Sequence, residues 1–419
     1  MAERPPLLAL DDALRLLADG ARGAVITETE TLSTFDALGR VLAEEVLSGL
    51  DVPPADNTER DGYVLKAADV PAAGAVLPVS QRIPAGVVGQ PLQPGTAARI
   101  FTGAQIPAGG DAVVMQEFCE AVPGEGLGSV RIREVPAPGA WIRRRGEDVS
   151  AGAAVLSRGE RLLPQSLGMA ASVGAAQLTV LRRPRVALFA TGDELVMPGE
   201  VPPERMPPGA IYNSNRFTLR ALLQAAGCEV TDLGIVADRL DATREALRRA
   251  AEGNDLIVTC GGVSVGDEDH IKPAVQAEGR LDLWQLAIKP GKPLAFGAVR
   301  RQGGGEALFV GLPGNPVSAF ITFLLAVRPV LRVLQGLPAE LPRALAARAD
   351  FDWPRPDKRR EFLRVRFNDA GGLELFSNQG SGVLTSTVWA DGLVDNPSGR
   401  TIAKGDTVAF LPMASLLSL

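Results

Sequence analysis

Residues 185–194 read Arg-Val-Ala-Leu-Phe-Ala-Thr-Gly-Asp-Glu. The apolar run Val186–Ala190 has strand length and no alternation, the pattern of a strand buried on both faces. It breaks into Thr191-Gly192-Asp193-Glu194, a polar turn. A helix is predicted from Ser214 to Ala226, with Leu219, Leu222 and Leu223 on its apolar face and Asn213 or Ser214 as the N-cap. Glu229 to Gly234 reads as the next strand, and Asp241 to Glu252 as the next helix, with Asp241 as its cap. Leu256–Thr259 is a strand that leads into Gly261-Gly262. Leu281–Ile288 and Ala307–Gly311 are further strands, and Gly314-Asn315-Pro316 opens a helix. Strands alternating with helices predict a doubly wound parallel sheet covered on both faces.

Other rhythms surround this centre. Leu7, Leu10, Leu14 and Leu17 recur at helical spacing, and a second helix is expected from Thr34 to Glu45 through Phe35, Leu38, Val41 and Leu42. Asp51-Val-Pro-Pro-Ala-Asp-Asn57 forces an extended, turned connection. From 58 to 144, short β runs such as Ala112–Met115 alternate with Gly/Pro turns. In Phe362–Phe367, Leu363, Val365 and Phe367 should face one way and Arg364 and Arg366 the other, with Asn368–Gly372 turning the chain back into Leu373–Phe376. The expected architecture is α/β plus β and multidomain. It comprises an elongated mixed domain (1–50 and 145–182), a β-rich insert (51–144), the central α/β domain (183–336) and a C-terminal β-barrel (337–419).

The chain has 419 residues, a net charge of −6 and a single histidine, His270. No global basic field points to nucleic acid. One histidine argues against a Ser-His-Asp triad or a His-rich metal site. Three scattered cysteines, Cys119, Cys228 and Cys260, give neither zinc spacing nor a disulfide framework, which fits a reducing cytoplasm. The start lacks a signal-peptide pattern. The longest apolar stretch, Val317–Val327, is closed by Arg328-Pro329 and reads as a buried helix, with no membrane span.

In an open α/β sheet, ligands bind at the carboxyl ends of the strands. Four polar loops fall there: Thr191–Glu194, Gly261–Asp269, Lys289-Pro-Gly-Lys292 and Gly311–Ser318. Glycine-rich backbone at helix starts plus lysines makes an anion site. Carboxylates beside phosphate favour a hard divalent ion such as Mg²⁺. Each loop also has a plainer reading, as a tight turn, a helix-first-turn acid or a solvated lysine. Their shared edge favours a phosphorylated or nucleotide ligand. Neither Gly-x-x-x-x-Gly-Lys-Ser/Thr nor a Rossmann fingerprint is present. In Arg143-Arg-Arg-Gly-Glu-Asp148 the arginines form either a self-compensating patch or an oxyanion clamp.

Taken in order, several segments resemble the molybdopterin molybdenumtransferase family, which includes the E domain of gephyrin. They are Asp51–Tyr63, Arg99–Ala104, Asp111–Glu117, Arg143–Asp148, Thr191–Leu195, Ile211–Arg216, Gly261–Asp269, Lys289–Pro293 and Gly311–Ser318. The resemblance covers nearly the whole chain. It implies a homodimer with the site in a cleft between protomers. It implies insertion of molybdate into the dithiolene of adenylylated molybdopterin, with Mg²⁺-dependent release of AMP. By motif position, Asp61, Asp148, Glu194, Asp269, Lys289 and Lys292 are expected to be catalytic, and Glu194, Asp238 and Asp269 to hold the metal. Thr102, Arg143, Gly261, Gly262, Ser264, Pro293, Ser318, Arg360 and Ser381 are expected to bind substrate. Expected partners are the molybdopterin adenylyltransferase and molybdoenzyme-maturation proteins. The sequence departs from the family pattern at Arg60, Pro54-Ala55, His270 and Cys260. Two other readings stand beside this one: the molybdopterin adenylyltransferase itself, and a non-catalytic gephyrin-like scaffold. The former family's Thr-Gly-Gly-Thr-Gly loop is replaced here by Thr259-Cys-Gly-Gly-Val-Ser-Val-Gly266.

Overall fold

The computed structural model describes residues 7–263, 270–355 and 357–418. The chain forms two compact units, Met1–Glu30 with Leu181–Leu419, and Thr31–Val180.

The first unit is built on a seven-stranded sheet. Its strands are β1 (Leu7–Leu8), β2 (Arg185–Thr191), β3 (Glu229–Val236), β4 (Leu256–Cys260), β5 (Gly279–Leu286), β6 (Pro293–Arg300) and β7 (Glu306–Leu312), in the order β1-β5-β6-β7-β4-β2-β3. The predicted strands form, but the sheet is mixed rather than parallel. β6 runs antiparallel to both β5 and β7, while β7, β4, β2 and β3 are parallel. Short connections of a few residues join β5 to β6 and β6 to β7, and such links can only make antiparallel neighbours.

Helices cover both faces, as expected of a doubly wound sheet. Val186, Leu188, Val258 and Val310 pack on one side with α1 (Leu10–Ala21), α2 (Ser214–Ala225) and the long helix α5 (Pro316–Leu334). Ala187, Phe189, Ile257 and Phe309 pack on the other side with α3 (Leu240–Ala251) and α4 (Ile271–Glu278). Leu10, Ala13, Leu17 and Ala21 lie in the first of these cores, so residues 7–30 belong with this unit rather than with residues 31–50. Asp241 sits inside the first turn of α3 and pairs with Arg239; it is not the cap.

Helix α5 does not stop at Arg328-Pro329. A π-helical stretch, Phe323–Val327, precedes the proline and lets the helix run on to Leu334 despite the missing N–H. The helix is long and apolar enough to cross a bilayer, yet most of it is buried in the unit. Arg328 is anchored by donating to the carbonyls of Ser418 and Glu340.

In the C-terminal part, Arg360–Phe367 pairs with Leu373–Leu375 as predicted, and also with Gly392–Asn396, which pairs with Thr407–Pro412 and through it with Leu345–Arg348. A bridge from Ala349 to Leu373 closes the circuit at one point. The expected alternation in Phe362–Phe367 holds in direction: Leu363 and Val365 share a core with Phe410, which Phe367 meets edge-on, while Arg364 turns to Ser386 and Arg366 to Trp389. Burial is what departs from expectation, since Arg364 is only 1% exposed. Arg364 has no carboxylate partner among the described residues and donates to Ser386 Oγ and the carbonyls of Phe362 and Gly380; loss of solvent on burial lowers its pKa to about 10.

The second unit holds a six-stranded sheet over residues 62–132, the predicted β-rich insert. The helix expected over Thr34–Glu45 does not form. A short 3₁₀ turn, Thr34–Asp36, is followed by chain that bridges Arg161 through Val41 and Val180 through Leu42. The apolar spacing misled because Phe35 (94% exposed) and Leu38 do not face the core that buries Val41 and Leu42.

Candidate active site

The parallel half of the sheet reverses direction at β2. The chain leaves β2 toward β3, then crosses to β4 on the other side, so the carboxyl ends of β2 and β4 flank a crevice. A cavity of about 620 Å³ lies there. Thr191 and Glu194 line it from the turn after β2, Cys260 and Gly261 from the end of β4, and Gly314, Asn315 and Pro316 from the start of α5. Asn213 and Asn215, at the start of α2, complete the wall with Gly382 and Leu384.

Close backbone approach holds these loops together. Gly261 has φ +92°, and a Cβ there would lie 2.7 Å from the Thr191 carbonyl oxygen. Asn215 Nδ2 donates to the Gly314 carbonyl at 2.7 Å and to Cys260 Sγ at 3.0 Å, and Cys260 Sγ donates to the Pro313 carbonyl. Burial pushes the Cys260 thiol up to about 12. It is therefore a hydrogen-bonding wall residue and not a thiolate. Asn213, 2% exposed, caps α2 by accepting from the Arg216 N–H, while its Nδ2 has no partner among the described residues. An unmet buried donor on a cavity wall favours a ligand acceptor.

Three of the four predicted loops thus converge. Glu194 and Gly261 line the cavity, and Gly262 packs against Thr191. Ser381 adjoins it, its carbonyl accepting from the Val317 N–H. Ser264 and Asp269 lie outside the described residues. Asp238 follows β3 and is not among the lining residues.

The fourth loop has the same edge but a different environment. Ile288–Lys289 pairs with Arg360–Phe367, which carries the loop onto the C-terminal sheet. Lys289 Nζ donates to Glu361 Oε1 at 3.1 Å and sits 3.2 Å from Asp357 Oδ2. Lys292 lines a second cavity, about 410 Å³, with Asp357, Lys358 and Arg359. Arg360 does not line it; its fork is taken by Asp395, at 2.5 and 2.6 Å, and by Asp11. Arg359, one residue earlier, takes that place. Pro293 opens β6, and Ser318 is buried in the first turn of α5.

In the second unit, the Thr102 N–H and Oγ1 both donate to Asp61 Oδ1, each at 2.7 Å. Those bonds, helped by Arg99, hold the Asp61 carboxyl below its ordinary range. The strand Asn57–Thr58 ties this pair to Arg143: Thr58 bonds Gly103 and Ala104, while Asn57 pairs with Arg143. The three arginines divide. Arg144 pairs with Asp56 and Arg145 with Asp51, so those two are self-compensated. Arg143 and Asp148 are exposed, and neither side chain has a partner among the described residues. Sequence reasoning reads Asn213 as a helix cap and Asn315 as part of a helix start, and offers neither these nor Asn215 or Arg359 as site residues.

Among the described residues, no three His, Cys, Asp or Glu side chains form a ready-made metal cluster.

Comparisons with known proteins follow this geometry. Family models match along the chain: the MoeA N-terminal region (domain I and II) over residues 8–174, the "Probable molybdopterin binding domain" over 187–333, and the MoeA C-terminal region (domain IV) over 346–413. The molybdopterin molybdenumtransferase of Haemophilus influenzae is 38% identical, with 93% of this chain and 95% of that protein covered. This chain belongs to the molybdopterin molybdenumtransferase family. The Bacillus subtilis molybdopterin molybdenumtransferase is 32% identical over 98% of this chain and 95% of its own length. The crystal structure of the molybdopterin biosynthesis moeA protein from Pyrococcus horikoshii OT3 superimposes with a TM-score of 0.80 at 29% identity, covering 97% and 99% of the two chains.

Proposed function

We propose that this chain is a molybdopterin molybdenumtransferase, which inserts molybdate into adenylylated molybdopterin and releases AMP, in molybdenum cofactor biosynthesis. The observation that carries the reading is the amide-lined cavity at the β2/β4 crossing, in a chain matched end to end by relatives of that name. Matches to the N- and C-terminal regions as well as the central one favour this activity over the adenylyltransferase.

In this reading Asn213, Asn215 and the Gly261-Gly262 backbone hydrogen-bond the pterin substrate. Lys289 and Lys292, with Arg359 in the place expected of Arg360, offset the molybdate dianion. Pro293, Ser318 and Ser381 shape the surrounding wall. Asp61, fixed by Thr102, together with Arg143 and Asp148, forms the second cluster of functional side chains. The substrate brings its own thiolates, so no protein cysteine need bind molybdenum. Mg²⁺ belongs to the proposal: Glu194, the one carboxylate among the described cavity-lining residues, would hold it with Asp269, whereas Asp238, outside that lining, would have to act from its edge. When bound, the ion would neutralise phosphate charge and stabilise the departing AMP.

The four-part domain division is retained in the proposal, with residues 7–30 reassigned to the central part. A cytoplasmic homodimer with a cleft between protomers completes it, served by the adenylyltransferase and by maturation proteins. The dimer is supported by Phe35, exposed beside an apolar cavity of about 610 Å³ lined by Leu167, Ala171 and Ala175. The test is direct. Purified protein with adenylylated molybdopterin, molybdate and Mg²⁺ should release AMP in step with molybdenum incorporation. AMP release no faster than that of Lys292→Ala would refute the reading. Sedimentation showing an active monomer would remove the dimer.

A further inference from the structure

Lys289 meets two carboxylates that the proposed chemistry does not use, and they differ in kind. Glu361 is 1% exposed, and its second oxygen accepts from Trp353 Nε1 at 2.8 Å and Asn396 Nδ2 at 3.4 Å. It is a fixed part of the sheet and holds Lys289 in register. Asp357 is 22% exposed and belongs to the loop before that sheet strand. Its carboxylate is held by Lys289 and by three donors of Arg359: the backbone N–H at 3.0 Å, Nε at 3.1 Å and Nη2 at 3.0 Å. The same residue lines the cavity that Lys292 and Lys358 face. A carboxylate gripped by a bidentate guanidinium and an ammonium makes the bonds that an oxyanion would make there.

We propose that Asp357 is an internal placeholder anion, which occupies Lys289 and Arg359 in the empty site and must give way when a tetrahedral oxyanion enters. This rests on the reading that these lysines receive molybdate. The placeholder solves a physical problem of such a site. Lys292, Lys358 and Arg359 line one cavity, and Lys289 reaches Asp357 on its wall; with no carboxylate there, these cations would repel one another when the site is empty and retain the oxyanion too tightly when it is full. Glu361 cannot serve, because its buried tethers prevent it from moving. Asp357, partly exposed and carried on the loop before the strand, can give way as the incoming oxyanion takes over its donors, while Glu361 keeps Lys289 in place. The residue therefore sets oxyanion affinity without taking part in the chemistry.

Isothermal titration of the full chain with molybdate tests this. Asp357→Asn removes the competing charge, and it should bind molybdate about fivefold tighter than wild type, the scale expected of one partly exposed ion pair. Asp357→Glu, which keeps the charge, should stay close to wild type. Asp357→Ser reads the same comparison should the asparagine disturb the loop. Equal or weaker binding by the neutral variants, while Lys292→Ala still loses affinity, would overturn the placeholder and leave the oxyanion site standing. Molybdate binding untouched by Lys292→Ala would remove the oxyanion site itself, and the placeholder with it.

Discussion

Gly261 offers a quantitative test of how the cavity is held. Replacing it with alanine has two separable effects. The first is conformational: at φ +92° an L-residue is strained by about 1–2 kcal/mol. The second is steric: the new Cβ would lie 2.7 Å from the Thr191 carbonyl oxygen, well inside ordinary contact. That oxygen is backbone at the end of β2 and cannot rotate away, so β2 and β4 must part, at a cost of about 1–3 kcal/mol. The sum is about 2–5 kcal/mol, a large share of a typical stability of ~5–15 kcal/mol. Two other glycines of the same unit calibrate the terms. Gly253 has φ +75° and open space around it, so Gly253→Ala isolates the conformational cost. Gly303 has open space and no positive φ, so Gly303→Ala should be neutral or stabilise by up to about 1 kcal/mol through the unfolded chain. Urea denaturation followed by circular dichroism would rank the three as Gly303→Ala, Gly253→Ala, Gly261→Ala in falling stability. A Gly261→Ala variant within about 0.5 kcal/mol of Gly253→Ala would refute the close-approach argument.

Asp61→Ala, Lys292→Ala and Asp269→Ala should each abolish molybdate-dependent AMP release while melting within a few degrees of wild type; a wild-type rate takes that residue out of the site. Cys119 and Cys260, both raised to about 12 chiefly by burial, should resist iodoacetamide at pH 8 and be labelled only once urea unfolds the chain, as read by mass spectrometry. Asp56 and Asp357 have folded-state pKa values below the ordinary 3.8, so their stabilisation is present above that value and lost as pH falls below it. Melting temperature should therefore drop below pH 4, and drop less in Asp56→Asn; an equal drop would dissociate Asp56 from acid stability. Raising KCl should weaken molybdate binding, while the affinity of a neutral pterin fragment for the amide-lined cavity should be unchanged in the same titration series.

The central fold was legible because its strands are buried on both faces. Val186–Ala190 and Leu256–Val258 are unbroken apolar runs, short and closed by glycine-containing turns, which favours a strand over a helix. Direction was not legible: nothing in Pro293–Arg300 distinguishes an antiparallel strand from a parallel one, since both its faces are buried. The helix expected at Thr34–Glu45 failed for the converse reason. Its apolar spacing fits a helix, but tertiary bridges to Arg161 and Val180 claim the backbone. In the site, glycine-rich turns at strand ends located Glu194 and Gly261. The ion-pair partners of Lys289 and Arg360 could not be read, because Glu361 and Asp395 reach them only through sheet pairing and Asp357 through the loop that precedes the strand.

The distribution of charge within the first unit bears on how the work is divided. The described lining of the β2/β4 cavity holds asparagines, a buried thiol and a single carboxylate, with no lysine or arginine. The cations gather instead where the Lys289–Lys292 loop meets the C-terminal sheet. A wall of amides discriminates by hydrogen-bond pattern, since a ligand lacking the right groups leaves buried donors such as Asn213 Nδ2 unpaired. A cluster of cations attracts any compact oxyanion and discriminates little. Under the proposed function, recognition of the large organic substrate falls to the first and capture of the small inorganic one to the second, which would let each be tuned alone. On the same proposal, a competing carboxylate such as Asp357 belongs beside the lysines and not beside the asparagines, because only the unselective site would need its affinity held down.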